Sequence, residues 1–151
     1  RDAGAQIAHS PSSNLFLGSG LFDWRGAEDA GVPVSVASDV GGGTSLCLLR
    51  NLAEAYKVQA LRGERLTAWK ALHASTLGAA VALGFDGEIG SLEVGRVADV
   101  CVWDWAVGPV AERRMEVAVG LHERVFAWMT LGDERNLVKA FVAGEVRYGR
   151  A

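Results

Sequence analysis

Val34-Ser35-Val36-Ala37-Ser38-Asp39-Val40-Gly41-Gly42-Gly43-Thr44-Ser45 is the stretch that decides the fold. Its β-branched, apolar start is too short for a helix and is bounded by punctuation, so it reads as a buried strand. One acid closes the strand, three glycines follow, and Thr44-Ser45 can cap a helix beyond them. An acid at the C-terminal tip of a strand is where α/β folds place chemistry. The glycines would let a ligand approach the backbone closely. Asp followed by glycines is equally good turn chemistry, so a plain strand-to-helix connection stays open beside the catalytic reading. A phosphate loop is disfavoured, because no Lys follows the glycines.

Working outward, Ala5 to His9 is a second short strand, running into a polar loop at Ser10-Pro11-Ser12-Ser13-Asn14. The spacing predicts a helix from Leu21 to Ala30, closed by Gly31, and an amphipathic helix from Ser45 to Leu61. A long helix follows over Leu66 to Leu83, with Thr67 as N-cap and Gly84 just past its end. Strand, helix, strand, helix in this order means βα units and a parallel sheet. The pattern changes after Asp86. Val97 to Trp105 alternates like a half-buried strand, 112–131 reads as one helix, and Leu137 to Tyr148 reads as a hairpin turning at Ala143-Gly144-Glu145. The expected division is therefore 1–86 for two βα units and 87–151 for a small β-rich module with a helix. Two parallel strands do not make a stable sheet alone. Together with an opening on Arg1-Asp2-Ala3-Gly4-Ala5, without Met, this reads as the tail of a longer parallel-sheet protein.

The 151 residues are 50% hydrophobic and 22% charged, which is a globular composition. A formal net charge of −3, without a Lys/Arg cluster, argues against nucleic acid as partner. The expectation is also of no membrane span and no signal peptide. Cys47 and Cys101 are far apart and form no Cys-x-x-Cys, so they read as small apolar fillers of a reduced, cytoplasmic protein. His73 and His122 read as helix packing, the tryptophans as core or interface, and Asp99 and Asp104 as water-facing residues of a strand.

Several segments carry a resemblance. Ala8-His9-Ser10-Pro11-Ser12-Ser13-Asn14-Leu15-Phe16-Leu17-Gly18-Ser19-Gly20 resembles the seventh-strand signature of the amidohydrolase superfamily. Val36 to Ser45 resembles the eighth-strand signature of its guanine deaminase branch. Ala74 to Gly84 is similar to the helix that follows, and Gly90 to Val100 to the return into the β-sandwich domain. Phe126 to Asn136, with Asp133-Glu134-Arg135-Asn136, is similar to the C-terminal region of that branch.

The resemblance implies the last two βα units of a metal-dependent (β/α)8 TIM barrel with a β-sandwich module. It implies hydrolysis of guanine, a purine, to xanthine and ammonia, a Zn2+ cofactor, and a homodimer. By position it makes Asp39 the metal ligand that also accepts the proton of the attacking water, and a carboxylate suits both tasks. His9, at a strand end, is a candidate for facing substrate, set against a hydrogen-bonded structural histidine. The family's His-x-His pair, its further histidines and its proton-shuttling Glu have no counterpart here, so the chain alone is expected to be inactive. Rival readings are an aminohydrolase for triazines or modified adenosines, and a non-catalytic association module. Deaminases with a Pro-Cys-x-x-Cys motif are excluded, since the motif is absent.

Overall fold

Val34-Ser35-Val36 does form a strand, and its parallel partner is Ile7-Ala8-His9. In the computed structural model, which describes residues 3–150, β1 (Ile7–His9) and β2 (Val34–Val36) pair with Ile7 opposite Val34 and His9 opposite Val36. A parallel pair needs a crossover, and here it is helical. It contains α1 (Pro11–Leu17) and α2 (Trp24–Asp29). The segment expected to be a loop at Ser10–Asn14 is thus largely helix. Pro11 sits at the first helical position, where its fixed φ is already helical and its missing N–H costs nothing. The helix expected over Leu21–Ala30 is confined to its second half, because Asp23 caps it by accepting from the Gly26 N–H at 2.9 Å.

After β2 come α3 (Leu48–Leu61), α4 (Ala68–Ser75) and α5 (Leu77–Leu83). α3 starts three residues later than expected, and Cys47 is its N-cap with no side-chain bond. The expected Thr67 cap is present, accepting from the Lys70 N–H, and Gly84 closes α5 in the left-handed conformation at φ 74°. The single long helix expected over Leu66–Leu83 is broken at Thr76. The Ser75 hydroxyl donates to the carbonyls of Ala71 and Leu72, and that of Thr76 to Leu72, bonds that compete with the backbone ladder.

The remaining elements are β3 (Val100–Trp103), α6 (Pro109–Val117), α7 (Leu121–Leu131), a 3₁₀ turn at Glu134–Asn136, β4 (Leu137–Val142) and β5 (Glu145–Gly149). The one helix expected over 112–131 is two. Ala118 leaves the helical region and Gly120 restarts the chain, with the Val119 N–H donating to the Glu123 carboxylate. β3, β4 and β5 form an antiparallel sheet in that order. The expected hairpin turns at Ala143 and Gly144, both at positive φ (52° and 80°), as a two-residue turn requires. Its outer anchor is Asp99, whose carboxylate accepts from the Ala143 N–H at 2.8 Å. Cys101 is exposed on β3 and so is not the apolar filler expected of it.

The core lies between β2, α3, α4 and α7. Trp24, Val36, Leu52, Leu66, Val125 and Met129 meet there over a floor of alanines at 55, 68, 71 and 74. Those alanines let α4 lie close to its neighbours. Burying side chains such as Leu52 and Met129 is worth about 1.5–3 kcal/mol each. Large apolar side chains also stand in the open, among them Phe16, Leu46, Leu61 and Val119. No helix among the described residues is long and apolar enough to cross a membrane.

Candidate active site

Beyond Val36 the chain is held to β1 by one more bond, from the Ala37 N–H to the His9 carbonyl at 2.9 Å. Asp39 then turns into the left-handed region at φ 45°, a conformation that Asp tolerates better than most side chains. The turn is closed by the Gly43 N–H donating to the Asp39 carbonyl at 2.5 Å and the Gly41 N–H to the Gly43 carbonyl at 3.1 Å. Gly41 itself has φ 121°, which a side chain rarely adopts.

Space demands glycine at 43, where a Cβ would meet backbone, while at 42 it would meet only side-chain ends. A Cβ on Gly43 would lie 2.0 Å from the Ser38 carbonyl oxygen and 3.0 Å from the Ser12 hydroxyl. A Cβ on Gly42 would lie 2.6 Å from the Ser13 hydroxyl and 3.3 Å from Oδ2 of Asp39. The glycine run therefore brings the segment after β1 against the segment after β2. Asp39 is exposed at the meeting point. Its carboxylate enters no ion pair among the described residues.

His9 is placed below this surface. It is 2% exposed, stacked on Phe22 at 4.6 Å between centroids and edge-on to Trp24 at 5.9 Å. Neither ring nitrogen has a hydrogen-bond partner among the described residues, so it is buried without the bond that a structural histidine usually makes. Burial pushes its pKa down to about 4, against the proximity of the Asn14 side chain, which favours the charged form. At neutral pH the ring is uncharged. His73 and His122 are exposed on α4 and α7, the latter 6.1 Å from the Trp69 ring, so neither is the packing residue that its neighbours suggest.

The Asp133–Asn136 turn has a structural role that the sequence did not disclose. Asp133 and Asn136 form a capping box, and Asn136 Nδ2 donates to the Asp104 carbonyl at 2.9 Å. The Arg135 guanidinium, donating to both oxygens of Asp133, holds that carboxyl below the usual range. Arg50 of α3 reaches across to Glu134 at 2.8 Å and Asp133 at 3.4 Å, and lowers the pKa of Glu134 in the same way. A groove of about 520 Å³ lies beside this clasp, lined by Ser12, Phe16, Thr44, Arg50 and Lys57 among others. Asn51, fully buried on α3, was also missed. The signal for it was present: an amide on the apolar stripe that carries Leu52, Ala55 and Val58, a face that also buries Gln59.

A catalytic zinc site uses about three protein ligands and one open position. Asp39 fits as one such donor. No group of three or more His, Cys, Asp or Glu side chains that could hold a metal occurs among the described residues.

Asp39 thus stands three residues past the end of β2, in a turn and not on the strand as expected. The amidohydrolase family model matches residues 1–147, and the chain belongs to that family. Guanine deaminase of Escherichia coli (strain K12) is 41% identical over 146 residues, covering 97% of this chain and 33% of the relative. A solved structure of E. coli guanine deaminase superposes with a TM-score of 0.96 at 40% identity, over 99% of this chain and 35% of that one. Guanine deaminase from C. acetobutylicum, solved with bound guanine, gives 0.81 at 27% identity, over 97% and 35%. An adenosine deaminase from Xanthomonas campestris, solved with bound zinc, gives 0.80 at 25% identity, over 98% and 33%. The chain spans about a third of the length of these relatives.

Proposed function

We propose that this chain supplies part of the catalytic mouth of a zinc-dependent guanine deaminase, which hydrolyses guanine to xanthine and ammonia in purine breakdown. The observation that carries the reading is the exposed Asp39 carboxylate, presented beyond β2 by a turn with no room for a side chain at 43. The 41% identity to a guanine deaminase favours guanine over other amino-substituted rings. On this reading residues 1–86 are the last two βα units of a (β/α)8 barrel, which the parallel pairing of β1 and β2 supports. Residues 87–151 are the sandwich module, supported by the antiparallel sheet of β3, β4 and β5. A cytoplasmic setting and a homodimer belong to the same proposal. The two free cysteines suit a reducing compartment.

Asp39 acts twice in this scheme, as a metal ligand through its carboxylate and as the acceptor of a proton from the attacking water. When bound, zinc would supply the acidity that makes a water molecule nucleophilic at neutral pH. The C–N bond to the exocyclic amino group breaks, a C–O bond forms, and the nitrogen leaves as ammonia. His9, enclosed by Phe22 and Trp24, makes no substrate contact in this proposal. Since Asp39 is one donor of about three needed, the 151-residue chain alone is expected to be inactive.

The test is a turnover screen of the full-length polypeptide that carries this chain, against guanine, an aminotriazine and a modified adenosine. Ammonia release from guanine with xanthine as product is the expected result. Turnover of the other rings with none on guanine would overturn the assignment.

A further inference from the structure

The turn that presents Asp39 is anchored by a side chain that takes no part in the chemistry. Asn51, in the first turn of α3, is fully buried. Its Oδ1 accepts from the Ser12 hydroxyl at 2.7 Å. Its Nδ2 donates to the carbonyls of Ser45 at 3.2 Å and Cys47 at 3.1 Å. Ser12 belongs to the segment after β1, whereas Ser45 and Cys47 follow the glycine run after β2. One amide thus fastens the two segments that meet at Asp39. The path from it to the acid is short. The Ser12 hydroxyl sits 3.0 Å from the Cβ position of Gly43, and the Gly43 N–H is bonded to the Asp39 carbonyl. An amide buried on an apolar helix face carries a desolvation cost unless both its ends are bonded. Here both are, and every partner lies in the two segments around the acid rather than in the core.

We propose that Asn51 is a positioning residue for Asp39. By tying Ser12 to the Ser45 and Cys47 carbonyls it fixes the 41–47 loop, and with it the left-handed backbone that aims the Asp39 carboxylate. The proposal rests on the reading of Asp39 as a metal ligand. Asn51 touches neither metal nor substrate and acts only through the loop.

The experiment uses the full-length polypeptide with Asn51→Asp, which keeps the acceptor for Ser12 but loses donation to Ser45 and Cys47. Ser12→Ala is the milder second variant. Val58→Ala, two turns along the same buried face of α3, removes packing without touching the loop. Three quantities are read: zinc affinity by chelator competition, kcat and KM on guanine, and amide hydrogen exchange at Gly43. Groups that orient metal ligands typically contribute 10- to 100-fold in affinity or activity, so Asn51→Asp is expected to lose about that much in both zinc affinity and kcat, with KM less affected. The Gly43 amide should exchange about tenfold faster or more in Asn51→Asp, and less so in Ser12→Ala. Val58→Ala should leave zinc affinity and Gly43 exchange within about twofold of wild type. Wild-type zinc affinity in both Asn51→Asp and Ser12→Ala overturns the proposal, as does an equal loss in Val58→Ala. If Gly43 exchange accelerates in Asn51→Asp while Asp39→Ala keeps its zinc, the fault lies in the metal-ligand reading, and the inference falls with it.

Discussion

Lowering the pH from 6.5 to 5 should destabilise the folded chain through His9 alone. The imidazole has an ordinary pKa of 6.5, lowered to about 4 when folded by its burial between Phe22 and Trp24. In that interval the unfolded chain binds a proton that the folded chain refuses, so stability is complete above pH 6.5 and is lost as the pH falls toward 4. At about 1.4 kcal/mol per pH unit the full loss is about 3 kcal/mol, of which about 2 kcal/mol is spent by pH 5. Asp133, Glu134 and Glu93 are held below the usual carboxylate range by their arginine partners, so their contributions are lost only at lower pH. The assay is urea unfolding of the full-length polypeptide at pH 7.5, 6.5, 5.75 and 5, for wild type and His9→Phe. Phe at position 9 keeps a ring against Phe22 and removes both unpartnered nitrogens, so its stability should fall by about 2 kcal/mol less than that of the wild type on going to pH 5. A mutant curve with the wild-type slope refutes the reasoning.

Gly43→Ala meets backbone, not a movable side chain, so it should cost about 1–3 kcal/mol or more and reduce turnover by displacing Asp39. Wild-type kcat with an unchanged unfolding midpoint would contradict the packing described. Asp133→Ala removes the capping box and both arginine partners, and should cost about 1–3 kcal/mol. Because Arg50 shares that carboxylate, a double-mutant cycle with Arg50→Ala should show a coupling of about 0.5 kcal/mol or more, and strict additivity would contradict it.

What could be read from the sequence was local. The strand at Val34–Val36, the Thr67 cap, the glycine at 84 and the Ala143-Gly144 turn are each determined by residues within a few positions of one another. The breaks at Thr76 and Ala118–Gly120 were hidden because the apolar period runs on through them, while hydroxyl back-bonding and a glycine restart interrupt the backbone. Ser12 and Ser13 read as a polar loop, yet both are buried, because Asn51 and the bare glycines lie across from them. The clasp from Arg50 to Asp133 and Glu134 spans more than eighty residues and left no local trace. For the candidate site, the strand and the turn that carries Asp39 were legible, while the role of Asp39 is the proposal made above. The burial of His9 depends on Phe22 and Trp24 and became visible only in the fold.

The account depends most on Asp39 being a metal ligand. Zinc per subunit, measured by elemental analysis of the purified full-length polypeptide and its Asp39→Ala variant after identical dialysis, tests this most directly. The account predicts about one zinc in the wild type and a clear loss in a variant that remains folded, since one ligand of about three is removed. Equal zinc in the two folded proteins would contradict it.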